Sequence, residues 1–174
     1  MTEDTPDTDA NGEGGSLDLP PIMIGAQYIK DLSFENPQGP EVLVSISDSP
    51  QVNIDVNTSA RALADDVYEV ALFIRGEAKS ENKTVFIVEL TYGGIITLNN
   101  VTEENIQPLL LIEAPRHLFP FARNIVANVT RDGGFPPLLI NPMDFVALYN
   151  DSRNNAGQTD DEQNGQPEQE NSAE

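Results

Sequence analysis

The segment at residues 66–79 limits the possible folds more than any other part of the chain. Its residues alternate with a period of two, which is typical of a β-strand. One face of this strand carries large apolar residues: Tyr68, Val70, Leu72 and Ile74. The opposite face is also apolar: Val67, Ala71 and Phe73. Because a strand that is apolar on both faces must be covered on both sides, we expect helices or another subunit to lie against it.

Three other segments, at about 26–37, 51–58 and 83–98, also alternate with the period of a strand. In the first, one face carries Tyr28, Leu32 and Phe34, and the other carries Ile29, Asp31, Ser33 and Glu35. In the second, the apolar face consists of Val52, Ile54 and Val56. In the last, Phe86, Val88, Leu90 and Tyr92 oppose Val85, Ile87, Glu89 and Thr91. The pattern therefore predicts four strands.

Turn and helix signals complete the pattern. Residues 80–83 suit a hairpin turn, and the Gly93-Gly94 pair predicts a bulge or bend in the last strand. Helical patterns follow at 106–114, at 118–131 and from Asn141-Pro142 onwards. Strands followed by helices predict an α+β fold with an antiparallel sheet.

Acidic residues are concentrated at both ends of the chain. The formal net charge is -20, and residues 1–20 contain six acidic residues and no basic one. Neither end has hydrophobic periodicity, so we expect disordered acidic segments at 1–21 and 153–174 around one folded domain at 22–152. Nucleic acid is not an expected partner, because phosphate binding needs clustered Lys and Arg. Basic polypeptides are the electrostatically favoured ligands.

The composition leaves few ways to build an active site. Cysteine is absent and His117 is the only histidine, so Cys-type and multi-histidine metal sites are excluded, and no cofactor is expected. Asp65 and Asp66 would point to opposite faces of a strand, which favours a turn over a metal pair. We therefore expect a protein that is not an enzyme. No segment approaches the ~20 apolar residues that span a bilayer, and the first residues do not resemble a secretory signal, so we expect a cytosolic protein.

Several blocks of the sequence match a known family in collinear order. They are YIKDLSFE at 28–35, LADDVYEV at 63–70, GGI at 93–95, LFPFAR at 118–123, GFPPL at 134–138, NP at 141–142 and FVAL at 145–148. Together they resemble the SecB family of bacterial protein-export chaperones. The resemblance implies a four-stranded antiparallel sheet with helices on one face, assembled as a homotetramer that is a dimer of dimers. It also implies a chaperone that holds secretory preproteins unfolded without ATP and delivers them to the SecA ATPase.

The same resemblance implies three sets of functional residues. The SecA-binding set is Asp31, Glu35, Ile87 and Glu89. Contacts between dimers are implied for Val88, Leu90 and Tyr92. A groove for unfolded clients is placed by position at Val52, Ile54, Val56, Phe135, Leu138, Phe145 and Tyr149. Exposed apolar surface beside a strand edge supplies affinity without reading a sequence, although core packing is an equally open interpretation of this groove set.

Two other functions stay open at this level. One is a SecB-like chaperone dedicated to a single labile partner, such as an antitoxin. The other is a small α+β enzyme that uses Asp or Glu as acid and base, which the missing catalytic constellation disfavours. The acidic residues at the SecA-binding positions favour the export function over the dedicated chaperone.

Overall fold

The computed structural model describes residues 19–45, 50–81 and 83–163, and for residues 45 and 155–163 it describes the backbone alone. The strands are β1 (Ile22–Glu35), β2 (Gln51–Ala64), β3 (Val67–Ser80) and β4 (Lys83–Leu98). They form one antiparallel sheet in the order β1-β4-β3-β2. The helices are α1 (Gly39–Ser45), α2 (Glu103–Pro108), α3 (Ala114–Asp132) and α4 (Phe145–Gln163), with a π-helical segment at Leu109–Glu113. The predicted α+β fold is confirmed.

The helices cover one side of the sheet, called here the inner face; the opposite side is the outer face. The inner-face side chains of β3 and β4 are fully buried: Val70, Leu72, Ile74, Val88, Leu90 and Ile96. Helix α3 packs across β4, β3 and β1, and it buries Leu118 and Val126 in this core. A Cβ atom on Gly94 would lie 2.8 Å from Leu118 Cδ2, so the absence of a side chain there lets α3 approach the sheet. The prediction of helices on one face is confirmed.

Two connections between strands that follow each other in the chain, from β2 to β3 and from β3 to β4, are tight hairpins. Ser80 pairs with Lys83 where β3 turns into β4, as predicted. Asp65 and Asp66 form the turn between β2 and β3. Asp66 has a φ of 56°, a left-handed conformation that aspartate tolerates, and its carbonyl accepts a hydrogen bond from the Leu98 amide at 2.9 Å. The interpretation of this aspartate pair as a turn is confirmed.

The helix boundaries differ from the prediction. The segments at 106–114 and 118–131 belong to one helical run over 103–132, because the π-helical turn continues the helix instead of breaking it. In that turn the Ala114 amide donates to the Leu109 carbonyl, and the wider turn makes room immediately before Pro115. The prolines in the sequence therefore predict a break in the helix at a point where the helix continues through a wider turn.

The last helix begins later than predicted. It starts at Phe145 and not at Asn141-Pro142, because Asp144 Oδ1 accepts hydrogen bonds from the amides of Val146 (3.0 Å) and Ala147 (3.1 Å). It then continues to Gln163, beyond the predicted domain end at residue 152. The remaining parts of the predicted disordered ends, residues 1–18 and 164–174, lie outside the described residues.

The predicted bulge lies on β1, opposite the Gly93-Gly94 pair and its neighbours, and not on β4 itself. The pairing of β1 with β4 shifts between Ile24 and Gln27, and again between Ile29 and Asp31. Tyr28 pairs with Gly93 and faces outwards, whereas Ile29 faces inwards. After the second bulge, Asp31 and Glu35 face outwards, while Leu32 and Phe34 face inwards. The expectation that Tyr28 shares a face with Leu32 and Phe34 is therefore wrong, as is the placement of Ile29 beside Asp31.

Candidate functional site

The outer face brings the four predicted SecA-binding residues together at one edge of the sheet. In the pairing of β1 with β4, Glu35 lies opposite Ile87 and Ser33 lies opposite Glu89. Asp31 follows one step along, opposite Thr91. Directly opposed residues in an antiparallel pair point to the same face, with Cβ atoms about 5 Å apart. Asp31, Glu35, Ile87 and Glu89 are called the docking set below.

The carboxylates of the docking set differ in whether a basic side chain already binds them. Arg75 on β3 donates a hydrogen bond to Glu89, and each of these two side chains is about one third exposed. Asp31 and Glu35 are exposed and form no ion pair within the described ranges. The docking set therefore offers two available carboxylates and one that is already engaged by an arginine.

Two further acidic residues, which the sequence analysis missed, lie on the same face. Glu77 on β3 is opposite Ile87, and Asp55 on β2 is opposite Arg75. Glu77 accepts hydrogen bonds from Lys79 (3.1 Å) and Thr84 (3.2 Å). The bond from Lys79 is the main cause that lowers the pKa of Glu77. Alternation indicates which face of its own strand each acid lies on, but only the strand pairing shows that these faces adjoin the docking set.

A buried carboxylate occupies the outer face nearer its other end. Glu69 on β3 is 3% exposed and accepts hydrogen bonds from Tyr28 and Lys30 on β1 and from Arg61 on β2. The hydrogen bond from Arg61, followed by those from Tyr28 and Lys30, lowers the pKa of Glu69 to about 2. The hydrogen bond to Glu69 in turn raises the pKa of Tyr28. Glu69 therefore links its own strand, β3, to β1 on the far side of β4 and to the neighbouring β2.

The inner face of β2 is only partly covered. The side chains of Val52 and Ile54 are 36% and 37% exposed, which is high for apolar residues of a folded domain. Leu138 covers the sheet beside them, since a Cβ on Gly76, which pairs with Ile54, would lie 2.8 Å from Leu138 Cδ2. Further along β2, a cavity of about 450 Å³ opens between the strand and the first helical turns, and Ala60 lines it. Because β2 is the last strand of the sheet, one edge of its backbone has no partner strand among the described residues.

The other groove candidates lie in the core of the single chain. The buried residues of this set are Val56, Phe135, Phe145 and Tyr149. Phe135 packs against the rings of Phe34 and Phe86, at centroid distances of 6.2 and 5.0 Å. Phe145 is 1% exposed and packs edge-on against Phe119. In this conformation the accessible groove residues are Val52, Ile54 and Leu138.

The three predicted contacts between dimers are also inside the chain. Val88 and Leu90 are fully buried and Tyr92 is 8% exposed, all on the inner face under the helices. Within one chain these side chains expose little surface, and contact between dimers at these positions stays a prediction. Exposed apolar residues occur nearby on β1 and α3 instead: Ile29, Leu32 and Phe121.

Two kinds of feature are absent from the described part of the chain. No helix there is long and apolar enough to cross a membrane. The same residues contain no group of three or more His, Cys, Asp or Glu side chains that could hold a metal ion.

Comparisons with known proteins agree with the fold and the sequence blocks. The family model described as "Preprotein translocase subunit SecB" matches residues 17–156. The protein-export protein SecB of Bradyrhizobium sp. (strain BTAi1) is 54% identical over 143 residues, which cover 82% of this chain and 88% of that protein. The protein of the same name from Rhodopseudomonas palustris (strain HaA2) is 46% identical over 161 residues, which cover 92% and 99%.

A solved structure shows the same fold at low sequence identity. It is a Mycobacterium tuberculosis SecB-like chaperone in complex with a peptide from an antitoxin, with a TM-score of 0.59 and 12% identity. The match covers 70% of this chain and 90% of that chain. With a family model that spans most of the chain and relatives that are about half identical to it, the chain belongs to the SecB family of protein-export chaperones.

Proposed function

We propose that this chain is an ATP-independent chaperone of the bacterial cytoplasm, which holds secretory preproteins unfolded and delivers them to the SecA ATPase. The observation that carries the proposal is the separation of two surfaces on one sheet. An acidic docking set lies on the outer face at the β1 edge, and an apolar groove lies on the inner face at the β2 edge. The SecB family is a chaperone family and not an enzyme family, which supports a function without catalysis.

The β2 edge suits clients that share no sequence. An extended segment can pair with the free backbone of an edge strand, while apolar side chains rest against Val52, Ile54 and Leu138. Backbone hydrogen bonds and apolar burial need no particular client residues. The strongly acidic chain favours client segments that carry basic residues.

The outer face suits a protein partner with basic residues. Asp31 and Glu35 are exposed carboxylates beside the apolar side chain of Ile87, so a partner can combine charge pairing with apolar contact. Rim charges of this kind contribute mainly to association rate and specificity. We assign this surface to SecA.

Assembly as a dimer of dimers is part of the proposal. Ile29, Leu32 and Phe121 are 48%, 37% and 54% exposed, and such apolar side chains favour contact between chains. Val88, Leu90 and Tyr92 lie beneath the helices, so substitutions there would act on assembly through the position of α3. The mass of the native protein in solution tests this: a monomer at all concentrations would contradict it.

One experiment separates the two surfaces. Asp31→Asn removes an exposed carboxylate from the docking set, and Asp132→Asn removes an exposed one, paired with Arg131, from the end of α3 as a control. We expect the first to weaken SecA binding, the second to leave it unchanged, and both to suppress aggregation of an unfolded preprotein without nucleotide. Loss of both activities in Asp31→Asn would contradict a separate docking surface.

The second candidate function is a chaperone dedicated to one labile partner, such as an antitoxin. It is favoured by the structural neighbour of the same fold, which was solved with an antitoxin peptide. Two unrelated unfolded preproteins distinguish the candidates. An export chaperone protects both from aggregation, whereas a dedicated one protects neither and binds only its own partner.

A further inference from the structure

The second bulge of β1 decides which way the docking carboxylates face. Tyr28 and Asp31 both lie on the outer face, opposite Gly93 and Thr91, although they are three residues apart. In an unbroken strand, residues separated by an odd number point to opposite faces. Without the bulge, an outward Tyr28 would therefore place Asp31 and Glu35 on the inner face, towards the helices. The docking set exists as one surface because this bulge is present.

Glu69 holds the strand at that bulge. The Tyr28 hydroxyl donates a hydrogen bond to Glu69 Oε1, and Lys30 Nζ donates one to Oε2 at 3.0 Å. The residues on both sides of Ile29 are therefore bound to Glu69. Tyr28 reaches Glu69 by crossing β4 above Gly93, where a Cβ would lie 2.9 Å from the Cζ atom of the ring. A side chain on Gly93 would close this path. Glu69 itself is 3% exposed and offers a partner almost no surface to contact.

We propose that Glu69 is a positioning residue for the docking set: by holding Tyr28 and Lys30 on the outer face, it fixes the bulge that turns Asp31 and Glu35 outwards beside Glu89. The inference rests on the proposed docking of SecA at this face. Its effect passes through β1, since Glu69 does not belong to the accessible surface.

Arg61 provides a matched control within the same cluster. It donates to the same carboxylate oxygen as Lys30, but from β2, which is not paired with β1. Lys30→Gln and Arg61→Gln therefore remove the same charge from the same acceptor, and only the first releases β1. Tyr28→Phe releases β1 without any change of charge.

The first test is hydrogen–deuterium exchange of the full chain in the wild type and these three variants. Loss of a hydrogen bond to a charged group changes a local opening equilibrium on the order of tenfold. We expect residues 28–35 to exchange faster by that order in Tyr28→Phe and Lys30→Gln, and at the wild-type rate in Arg61→Gln. Unchanged exchange in both β1 variants, or an equal acceleration in Arg61→Gln, would overturn the proposal.

The second test measures the affinity for SecA from the same bacterium, with Glu89→Gln as a direct change to the docking set. We expect Tyr28→Phe and Lys30→Gln to bind SecA roughly three- to tenfold more weakly, and Arg61→Gln to bind it as the wild type does. Faster exchange at 28–35 combined with wild-type affinity in both β1 variants would refute the positioning role. If the wild type itself fails to bind SecA, the proposed function fails, while the exchange rates still decide whether Glu69 fixes the bulge.

Discussion

Glu69 makes the stability of this sheet sensitive to acid in a defined pH range. The hydrogen bonds from Arg61, Tyr28 and Lys30 lower its pKa from 4.5 to about 2. A carboxyl group whose pKa is lower in the folded than in the unfolded chain adds stability above the unfolded value, and this contribution is lost as the pH falls towards the folded value. The range is therefore pH 4.5 down to about 2. Integrated over this shift, the loss between pH 5 and pH 3 is about 2 kcal/mol.

Urea unfolding of the wild type and Glu69→Gln measures this contribution, at pH 5 and pH 3 and at one protein concentration. Glutamine does not titrate, so the variant lacks the contribution of Glu69, while all other carboxyl groups affect both proteins alike. We expect the wild type to lose about 2 kcal/mol more than the variant over this interval. Parallel curves for the wild type and Glu69→Gln would refute the reasoning.

Three further substitutions test the packing and the two surfaces. Gly94→Ala places a methyl group 2.8 Å from Leu118 Cδ2 and should lower the free energy of unfolding by about 1–3 kcal/mol in urea titrations; Leu118→Ala should then cost less in the Gly94→Ala background than in the wild type. Arg75→Gln frees Glu89, so SecA should bind more tightly at low salt and with unchanged affinity at high salt, as a salt series of binding titrations would show. Ile54→Asp should reduce the suppression of preprotein aggregation in a light-scattering assay and leave SecA affinity unchanged; loss of both would contradict separate surfaces.

The pattern of alternation predicted the parts of the fold that depend on local sequence. β3 and β4 are paired to two neighbours and covered by helices, so their inner residues, such as Leu72 and Leu90, must be apolar at every second position. The hairpin between β3 and β4 and the turn at Asp65-Asp66 were also predictable, because turn residues act over four positions. The local sequence of these elements is therefore enough to predict them, and the structure matches the prediction.

The errors concern features that distant residues decide. Tyr28 lies on the outer face, where Glu69, 41 positions away, accepts its hydroxyl hydrogen bond, and the bulge that follows puts Asp31 on the same face. A run of alternating residues cannot indicate such a bond. The helical run over 103–132 is continuous because a π-helical turn precedes Pro115, whereas a proline in sequence favours a break.

The candidate site was predictable in part, for a related reason. Alternation indicates that Asp31 and Glu35 share a face, but it does not pair that face with Glu89 on β4. The family resemblance supplied this link. Glu77 and Asp55 were missed because their relation to the docking set depends on the order of the strands, which the residues of each strand do not specify.

The order of the strands also bears on how a client could be handed over. β1 and β2 are the two edges of a four-stranded sheet, so they are about 14 Å apart at a spacing of about 4.8 Å per strand. The docking set and the groove lie on opposite faces as well as towards opposite edges. A partner on the outer face and a client along β2 therefore do not compete for the same side chains. Under the proposed function, SecA can dock while the client is still bound, and release requires a change that crosses the sheet or occurs in SecA itself.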